Sequence, residues 1–361
     1  MKTGRSLSGL INELVRRETV KHDYLVDTRR IRFDADNSHE QISLINDQTN
    51  TTTVLDVNSI AHNQIATTLG IPTKYYDKMR KENPSLLATN INSWFDIDPK
   101  VKMVRTLDGI MRAFLSDKYY PIDNFLVAEA VLPIIADLPD VRIESCEVTD
   151  SRMYIKVVNP RLTQEVVPGD IVQSGMIISN SEVGEGSLLF QPLVYRLVCK
   201  NGMVVNDAKM RRTHVGKSNG ALEDFSLYTD ETIIADRTAI LMKAKDAVRA
   251  IGEQTRFDRV VNLMRNGKQA KITSTNIPAM VELTGTRFGY TKQQASGILN
   301  HLIHDGELSL YGIANAVTKF AQDVQSYDES TRLEGVGYDI LSMSKDQWNR
   351  LNAVSTVATV V

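Results

Sequence analysis

The dipeptide Asp108-Gly109 constrains this chain most. It sits between two alternating apolar runs, KMVRT and IMRAFLS. Asp-Gly accepts the two positive-φ positions of a tight turn whose twist matches that of paired strands, so the flanking runs must fold back on each other as a hairpin. Two further pairs repeat the pattern. VRIESCEV and RMYIKVV flank Thr149-Asp150-Ser151, and DIVQSGMIIS and SLLF flank the loop NSEVGEG. Earlier in the chain, Asp47–Thr53 (DQTNTTT) reads as a loop between two short strands. A chain built from hairpins makes an antiparallel sheet and must cover its apolar face with helices.

The helices are legible from period and caps. Leu7, Leu10, Ile11, Leu14 and Val15 fall at helical spacing and predict a short amphipathic helix that docks on the body. Ser59 is the expected cap of a helix that Gly70 ends, and Pro72 suits the first turn of the next, TKYYDKMRKE. A third runs from Ser85 through Trp94. DNFLVAEAVLPIIADL is a helix with Asp123 as its cap, a stripe of Phe125, Leu126, Ala130, Val131 and Ile134, and a bend at Pro133. PLVYRLVCKNG is ambiguous. Its β-branched residues favour strand, but Pro192 at a first turn, Gly202 past the end and the 193, 194, 197, 198 spacing favour helix, which is the expectation adopted. DRTAILMKAKDAVRAIGEQTRFDRVVNLMR, TKQQASGILNHLIHDG and LYGIANAVTKFAQDVQ are helical. The expected class is α+β: an antiparallel sheet built from hairpins with packed helices, plus a mostly helical C-terminal region. The expected divisions are an N-terminal arm with short strands (1–55), an α+β core (56–220), a helical region (221–344) and a tail or docking segment (345–361).

Composition narrows the function classes. With 361 residues, 42% hydrophobic and 24% charged, the chain buries a core without difficulty. A net charge of −2 argues against a wholly basic nucleic-acid binder but leaves a local basic patch open. Cys146 and Cys199 are the only cysteines and form no framework, which fits a reducing compartment. The first residues lack the apolar core of a signal peptide and no run approaches a membrane span. A soluble cytoplasmic protein, not engaged with membrane, is expected.

The chemistry concentrates in residues 180–217, where a Gly-rich acidic loop leads through an apolar segment to a basic run. That run comprises Arg196, Lys200, Lys209, Arg211, Arg212, His214 and Lys217, with Asp207 the one acid among them. Cations lining a groove bind a phosphate backbone by releasing counterions, and arginine adds bidentate contacts. The competing reading is a solvated loop whose charges pair with distant acids. Arg105, Arg112, Lys118, Tyr119 and Tyr120 form a second set, with Arg105 and Arg112 on opposite arms of the Asp-Gly hairpin. Phosphate binding is one reading, and a buried or half-buried arginine tied to Asp117 or Asp123 is the favoured one. Lys74, Lys78, Arg80 and Lys81 alternate with Tyr75 and Tyr76 on a helix after a tight turn, a pattern that suits phosphate contact and base stacking or a plain solvated face. Glu182, Glu185 and Asp170 lack a third ligand at diagnostic spacing, and His301 and His304 lack the glutamate of a zinc protease. NSEVGEG lacks the ending of a phosphate-binding P-loop, and ISNSEVG is no nucleophile elbow. No catalytic residue, metal or cofactor is expected.

LGIPTKYYDKM, MVRTLDGIMRAFLSDKYYPIDN, GMIISNSEVGEGSLLFQPLVYRLVCKNGM, RRTHVG and LYGIANAVTKFAQD together resemble the phage- and plasmid-encoded family catalogued as domain of unknown function 932, over roughly residues 60–330. The resemblance implies a bacteriophage, prophage or mobile-element origin and a bacterial host cytoplasm. The strand-then-helix order is also similar to that of Rad52-like phage single-strand annealing proteins. Taken with the basic run, this implies an oligomeric, non-catalytic single-stranded DNA-binding or annealing protein of recombination or replication. Tyr75, Tyr119 or Tyr195 would stack on bases. The alternatives are a metal-dependent enzyme acting on nucleotides or nucleic acid through Glu182, Glu185 or Asp170, and a scaffold or regulatory module that binds another protein.

Overall fold

A computed structural model describes residues 1–36, 39–47, 49–206, 230–250 and 254–354. The chain opens with helix α1 (Leu7–Val20), which Ser6 caps by accepting the Gly9 N–H. Strands β1 (Lys21–Asp27), β2 (Ile31–Ala35), β3 (Glu40–Asn46) and β4 (Thr51–Val57) follow, then helices α2 (Ser59–Thr68), α3 (Thr73–Glu82) and α4 (Pro84–Ile97). The cap of α2 is Asn58 rather than Ser59, because the Asn58 side chain already reaches the Ala61 N–H at 2.9 Å. The Asp-Gly hairpin joins β5 (Val101–Leu107) to β6 (Ile110–Ser116), with φ of 53° at Asp108 and 78° at Gly109 as the tight turn requires. These six strands form one sheet in the order β1-β5-β6-β4-β3-β2, all antiparallel except the short β4–β6 contact. The sheet therefore draws strands from both sides of residue 56. On one face it packs Phe33, Ile42, Met111 and Phe114 against Ile65, Tyr76, Leu87 and Ile91 of the three helices.

Helix α5 (Asn124–Asp137) leads into a second sheet of β7 (Arg142–Val148), β8 (Met153–Glu165), β9 (Ile171–Asn180), β10 (Leu189–Arg196) and β11 (Asn201–Val204), antiparallel throughout in the order β11-β10-β9-β8-β7. The helix expected over PLVYRLVCKNG is overturned. Residues 189–196 are strand β10, paired on both sides, and Pro192 lies within it opposite Met176. The doublet Leu193–Val194 that suggests a helix face covers the two buried faces of a strand, where side chains are apolar regardless of parity, and the doublet Leu197–Val198 lies in the turn that follows, with Val198 exposed.

Helices α6 (Asp230–Arg249), α7 (Gln254–Gln269), α8 (Ile277–Phe288), α9 (Lys292–Asp305), α10 (Leu310–Phe320), α11 (Tyr327–Leu341) and α12 (Lys345–Asn352) complete the described residues. The single helix expected from Asp236 to Arg265 is described as two, α6 and α7, and Ile251 lies outside the described residues. On one face of the second sheet, Met153, Ile155 and Val157 of β8 meet Leu10 and Leu14 of α1, Val127 and Val131 of α5, and Ala244 and Val248 of α6. The other face carries the C-terminal helices, whose core includes Tyr311, Ile313, Val317, Leu333, Trp348 and Leu351. Both faces of the first half of β8, residues 153–158, are thus buried, and Lys156 is fully buried with them. Its ammonium meets Glu334 of α11 at 2.7 Å and lies 4.7 Å from the Tyr327 ring centre. A buried lysine persists only with such partners. The fold is α+β, and its C-terminal region from α6 onward is helical among the described residues.

Candidate functional site

The first sheet meets the second at the loop 181–186. The β5–β6 register shifts between Arg105 and Thr106, which leaves Arg112 as the extra residue of a bulge on β6. A bulge re-aims its side chain, and here both Arg112 and Ala113 turn inward, one to Glu182 and the other to Val183. Arg112 Nη1 donates to Glu182 Oε2 at 2.7 Å, and both residues are only 5% exposed. The other oxygen of Glu182 accepts the Asn124 N–H at 2.6 Å. That bond caps α5 from a distant segment. Asp123 occupies the cap position but makes no side-chain cap bond there. Its carboxylate is held instead by Arg105 Nη2 at 2.8 Å and by Lys21 Nζ at 2.6 Å. Arg105, fully buried, also donates to Asp23 Oδ1 at 2.8 Å and to the Glu182 carbonyl at 2.8 Å. Burial opposes the Arg105 charge, but Asp123 and Asp23 outweigh it and raise its pKa. The same balance holds Asp123 below its ordinary value: burial opposes, Arg105 and Lys21 prevail.

Backbone contacts close the loop. Gln64 Nε2 donates to the Val183 carbonyl at 2.7 Å, and Tyr119 Oη to the Ser181 carbonyl at 3.4 Å. Burial pushes the Tyr119 phenol up to about 12. Gly184 holds φ +76°, and a Cβ there would lie 2.7 Å from Leu115. The Gly-rich acidic loop is therefore an interlock between two sheets. Arg105 and Arg112 do converge, as the hairpin predicts, but on Glu182, Asp23 and Asp123 rather than on solvent.

The remaining cations lie elsewhere. Arg196, at the end of β10, meets Asp170 at 2.5 Å and lies 5.6 Å from the Tyr311 ring, while Tyr311 donates to the other Asp170 oxygen at 2.8 Å. Asp170 precedes β9 and Glu182 follows it, so the ten residues of that strand hold the two carboxylates roughly 30 Å apart. Asp170 is thus not in one cluster with Glu182, and each of these two carboxylates is already matched by an arginine. Among the described residues no group of three His, Cys, Asp or Glu side chains is placed to hold a metal. His301 pairs with Asp323 at 2.6 Å. Lys200 is exposed on the turn before β11, with φ 50°. Lys118 is exposed on the turn after β6. Lys209, Arg211, Arg212, His214 and Lys217 lie outside the described residues, between β11 and α6.

Of the tyrosines expected to stack on bases, Tyr195 is 3% exposed and donates to Glu144 at 2.7 Å, and Tyr119 is bound to the loop. Tyr75 alone among those three is open, at 51% exposure. It stands on α3 beside exposed Lys74 and Lys78, the latter 3.8 Å from Glu82. The inner side of α3 is a different environment. Tyr76 Oη lies 2.9 Å from His62 Nδ1, His62 Nε2 lies 3.3 Å from Glu40, and Arg80 grips Glu40 at 2.5 Å. Burial, with Arg80 adding to it, lowers the His62 pKa to about 4. Sequence reading misses this relay and the Lys156–Glu334 pair. The signal for the second is present: a lysine inside the apolar run MYIKVV must be matched if both faces of the strand are covered.

No curated protein and no solved structure matches this chain. The family described as a domain of unknown function (DUF932) matches residues 113–355, from β6 through α12 and so across the interlock loop, the second sheet and the helical region. The chain belongs to that family.

Proposed function

We propose that the chain is a single-stranded DNA-binding or annealing protein of a phage or other mobile element. It would act without a catalytic residue in recombination or replication, in the cytoplasm of a bacterial host. The observation that carries this reading is a contrast between arginines paired in the fold and an acid-free basic run in the sequence. Arg105, Arg112 and Arg196 each have a carboxylate within 2.8 Å, so they have no charge to offer a phosphate. Lys209, Arg211, Arg212 and Lys217, by contrast, follow one another with no acidic residue from 209 to 217. Such a run attracts a polyanion through counterion release and needs no base-specific contact. It is joined on either side to β11 and α6. Tyr75 between Lys74 and Lys78 adds a surface for base stacking. Assembly of several copies would present these segments as one track to a long strand.

A gel shift with single strands of several unrelated sequences, at two salt concentrations, tests the reading. Binding should weaken steeply with salt, and replacing Arg211 and Arg212 with Ala should weaken it uniformly across sequences. No binding, or affinity indifferent to salt, removes the proposal.

A further inference from the structure

A sheet with an open edge offers a row of unpaired N–H and C=O groups to any second strand. The two sheets have four edges, and three are covered. At β2, the Asn92 side chain of α4 bonds both the N–H and the carbonyl of Phe33, at 2.9 and 2.8 Å, in the manner of a paired strand. At β7, the N-terminal residues lie alongside: Arg5 bridges Cys146, and Ser145 donates to the Lys2 carbonyl at 2.8 Å. At β11, helix α11 packs on the strand, and Asn201 bonds Thr318 of α10. The fourth edge, β1, has no partner strand on its outer side among the described residues.

The hydrogen-bonding parity of β1 follows from its partner. The Thr28 N–H donates to the Lys100 carbonyl at 3.0 Å, which continues the β1–β5 register as a hydrogen-bonded pair. Alternation then turns the backbone groups of His22, Tyr24 and Val26 toward β5, and the Thr106 hydroxyl on that strand also donates to the His22 carbonyl at 3.1 Å. Lys21, Asp23, Leu25 and Asp27 therefore direct their backbone groups outward. Leu25 is 65% exposed, and β1 carries neither proline nor bulge.

We propose that β1 is a dimerisation edge, on which two copies of this chain pair antiparallel about a two-fold axis at Tyr24. The sequence KHDYLVD is complementary to itself in that register. Lys21 falls opposite Asp27 of the second copy, and Asp23 opposite Leu25. The Lys21 N–H already donates to the Arg17 carbonyl at the end of α1, so each Asp23–Leu25 pair makes both its bonds and each Lys21–Asp27 pair makes one, from the Asp27 N–H to the Lys21 carbonyl. Tyr24 meets its own counterpart at a non-hydrogen-bonded position, where side chains approach most closely and aromatic pairs contribute most. Shifting the centre to Leu25 would instead oppose Asp23 to Asp27, which like charges disfavour. The two six-stranded sheets would become one continuous sheet of twice that number. The proposal stands apart from any DNA ligand.

The test is the mass of the full chain in solution, by sedimentation equilibrium or light scattering without nucleic acid. The wild type should sediment as a dimer. Leu25→Pro removes one outward N–H while leaving the β1–β5 bonds intact, since proline is tolerated where the N–H faces away from the ladder. It should shift the protein to monomer with circular dichroism unchanged. Leu25→Glu, which keeps the N–H but sets a carboxylate opposite Asp23 of the second copy, checks the result should the proline variant fold poorly, and should weaken the dimer more at low salt than at high. A monomeric wild type, or folded Leu25→Pro and Leu25→Glu variants that remain dimers, overturns the proposal. DNA affinity in the variants is a separate readout, so failure of the dimer and failure of the DNA reading are distinguishable.

Discussion

The Glu182 hub and the outer face of α3 contain the same kinds of residue in opposite circumstances. At the hub, Arg105 and Arg112 are sealed at 0% and 5% exposure, and carboxylates from β1, the α5 cap and the loop after β9 neutralise them. On α3, Lys74, Lys78 and Lys81 stand in solvent beside Tyr75. The hub cations are structural because removing them from water required a matched anion for each. The α3 cations remain hydrated and exchangeable, which is the condition for meeting a phosphate. A basic cluster in sequence is thus two different objects, and the location of its carboxylates decides which.

The sharpest way to break the distinction is Glu182→Gln. Glutamine keeps the shape and still accepts the Asn124 N–H, but it leaves the Arg112 charge buried without a counterion. Breaking a buried pair from one side costs about 3–5 kcal/mol. The urea midpoint should fall accordingly with the m-value unchanged. Replacing both partners, Arg112→Met with Glu182→Leu, should cost less than Glu182→Gln alone, because no charge is then stranded. An unchanged midpoint in Glu182→Gln would mean the hub is wet and its arginines are available after all.

The limits of sequence reading follow the same line. The hairpins are legible because Asp108-Gly109 and the alternation beside it are local instructions. The convergence of Arg105 and Arg112 is legible too, since they lie on facing arms of one hairpin. Their anions are not, because Asp23 lies 82 positions from Arg105 and Glu182 lies 70 from Arg112. Asp123 reads as a helix cap by every local rule, and only the packing of two sheets diverts it to Arg105 and hands the cap to Glu182. Strand β10 is mistaken for a helix for a related reason. With both faces covered, it lacks the alternation that marks a half-exposed strand.

Helix α3 allows a finer test within a single element, since its inner side belongs with the hub. His62 is held neutral there, at about 4 against an ordinary 6.5. The unfolded chain takes up the proton first. Stability therefore carries no penalty above pH 6.5, declines as pH falls from 6.5 toward 4, and is not reduced further by this group below 4. The expected loss across that window is about 3 kcal/mol. Glu13 and Asp27, both lowered to about 2, lose their stabilising contribution from their ordinary 4.5 and 3.8 downward, so the upper part of the window, above 4.5, is where the slope belongs to His62. Thermal unfolding at stepped pH checks the slope, and His62→Gln should flatten it. A slope that persists in the variant assigns the acid sensitivity elsewhere.

The smallest effect on stability belongs to the outer side of the same helix, and it separates the two regions most cleanly. Replacing Lys74, Lys78 and Lys81 with Gln removes three solvated charges and one loose 3.8 Å pair with Glu82. Exposed pairs of this kind contribute little, so each change should stay within about 0.5 kcal/mol. If α3 lies along a bound single strand, the salt dependence of binding should nonetheless flatten by about 0.7 in slope for each phosphate no longer neutralised. Tyr75→Ala should weaken binding with the salt slope unchanged, because stacking releases no counterions. Unaltered affinity in both variants would confine any DNA contact to residues 209–217 and reduce α3 to a solvated face over a buried histidine.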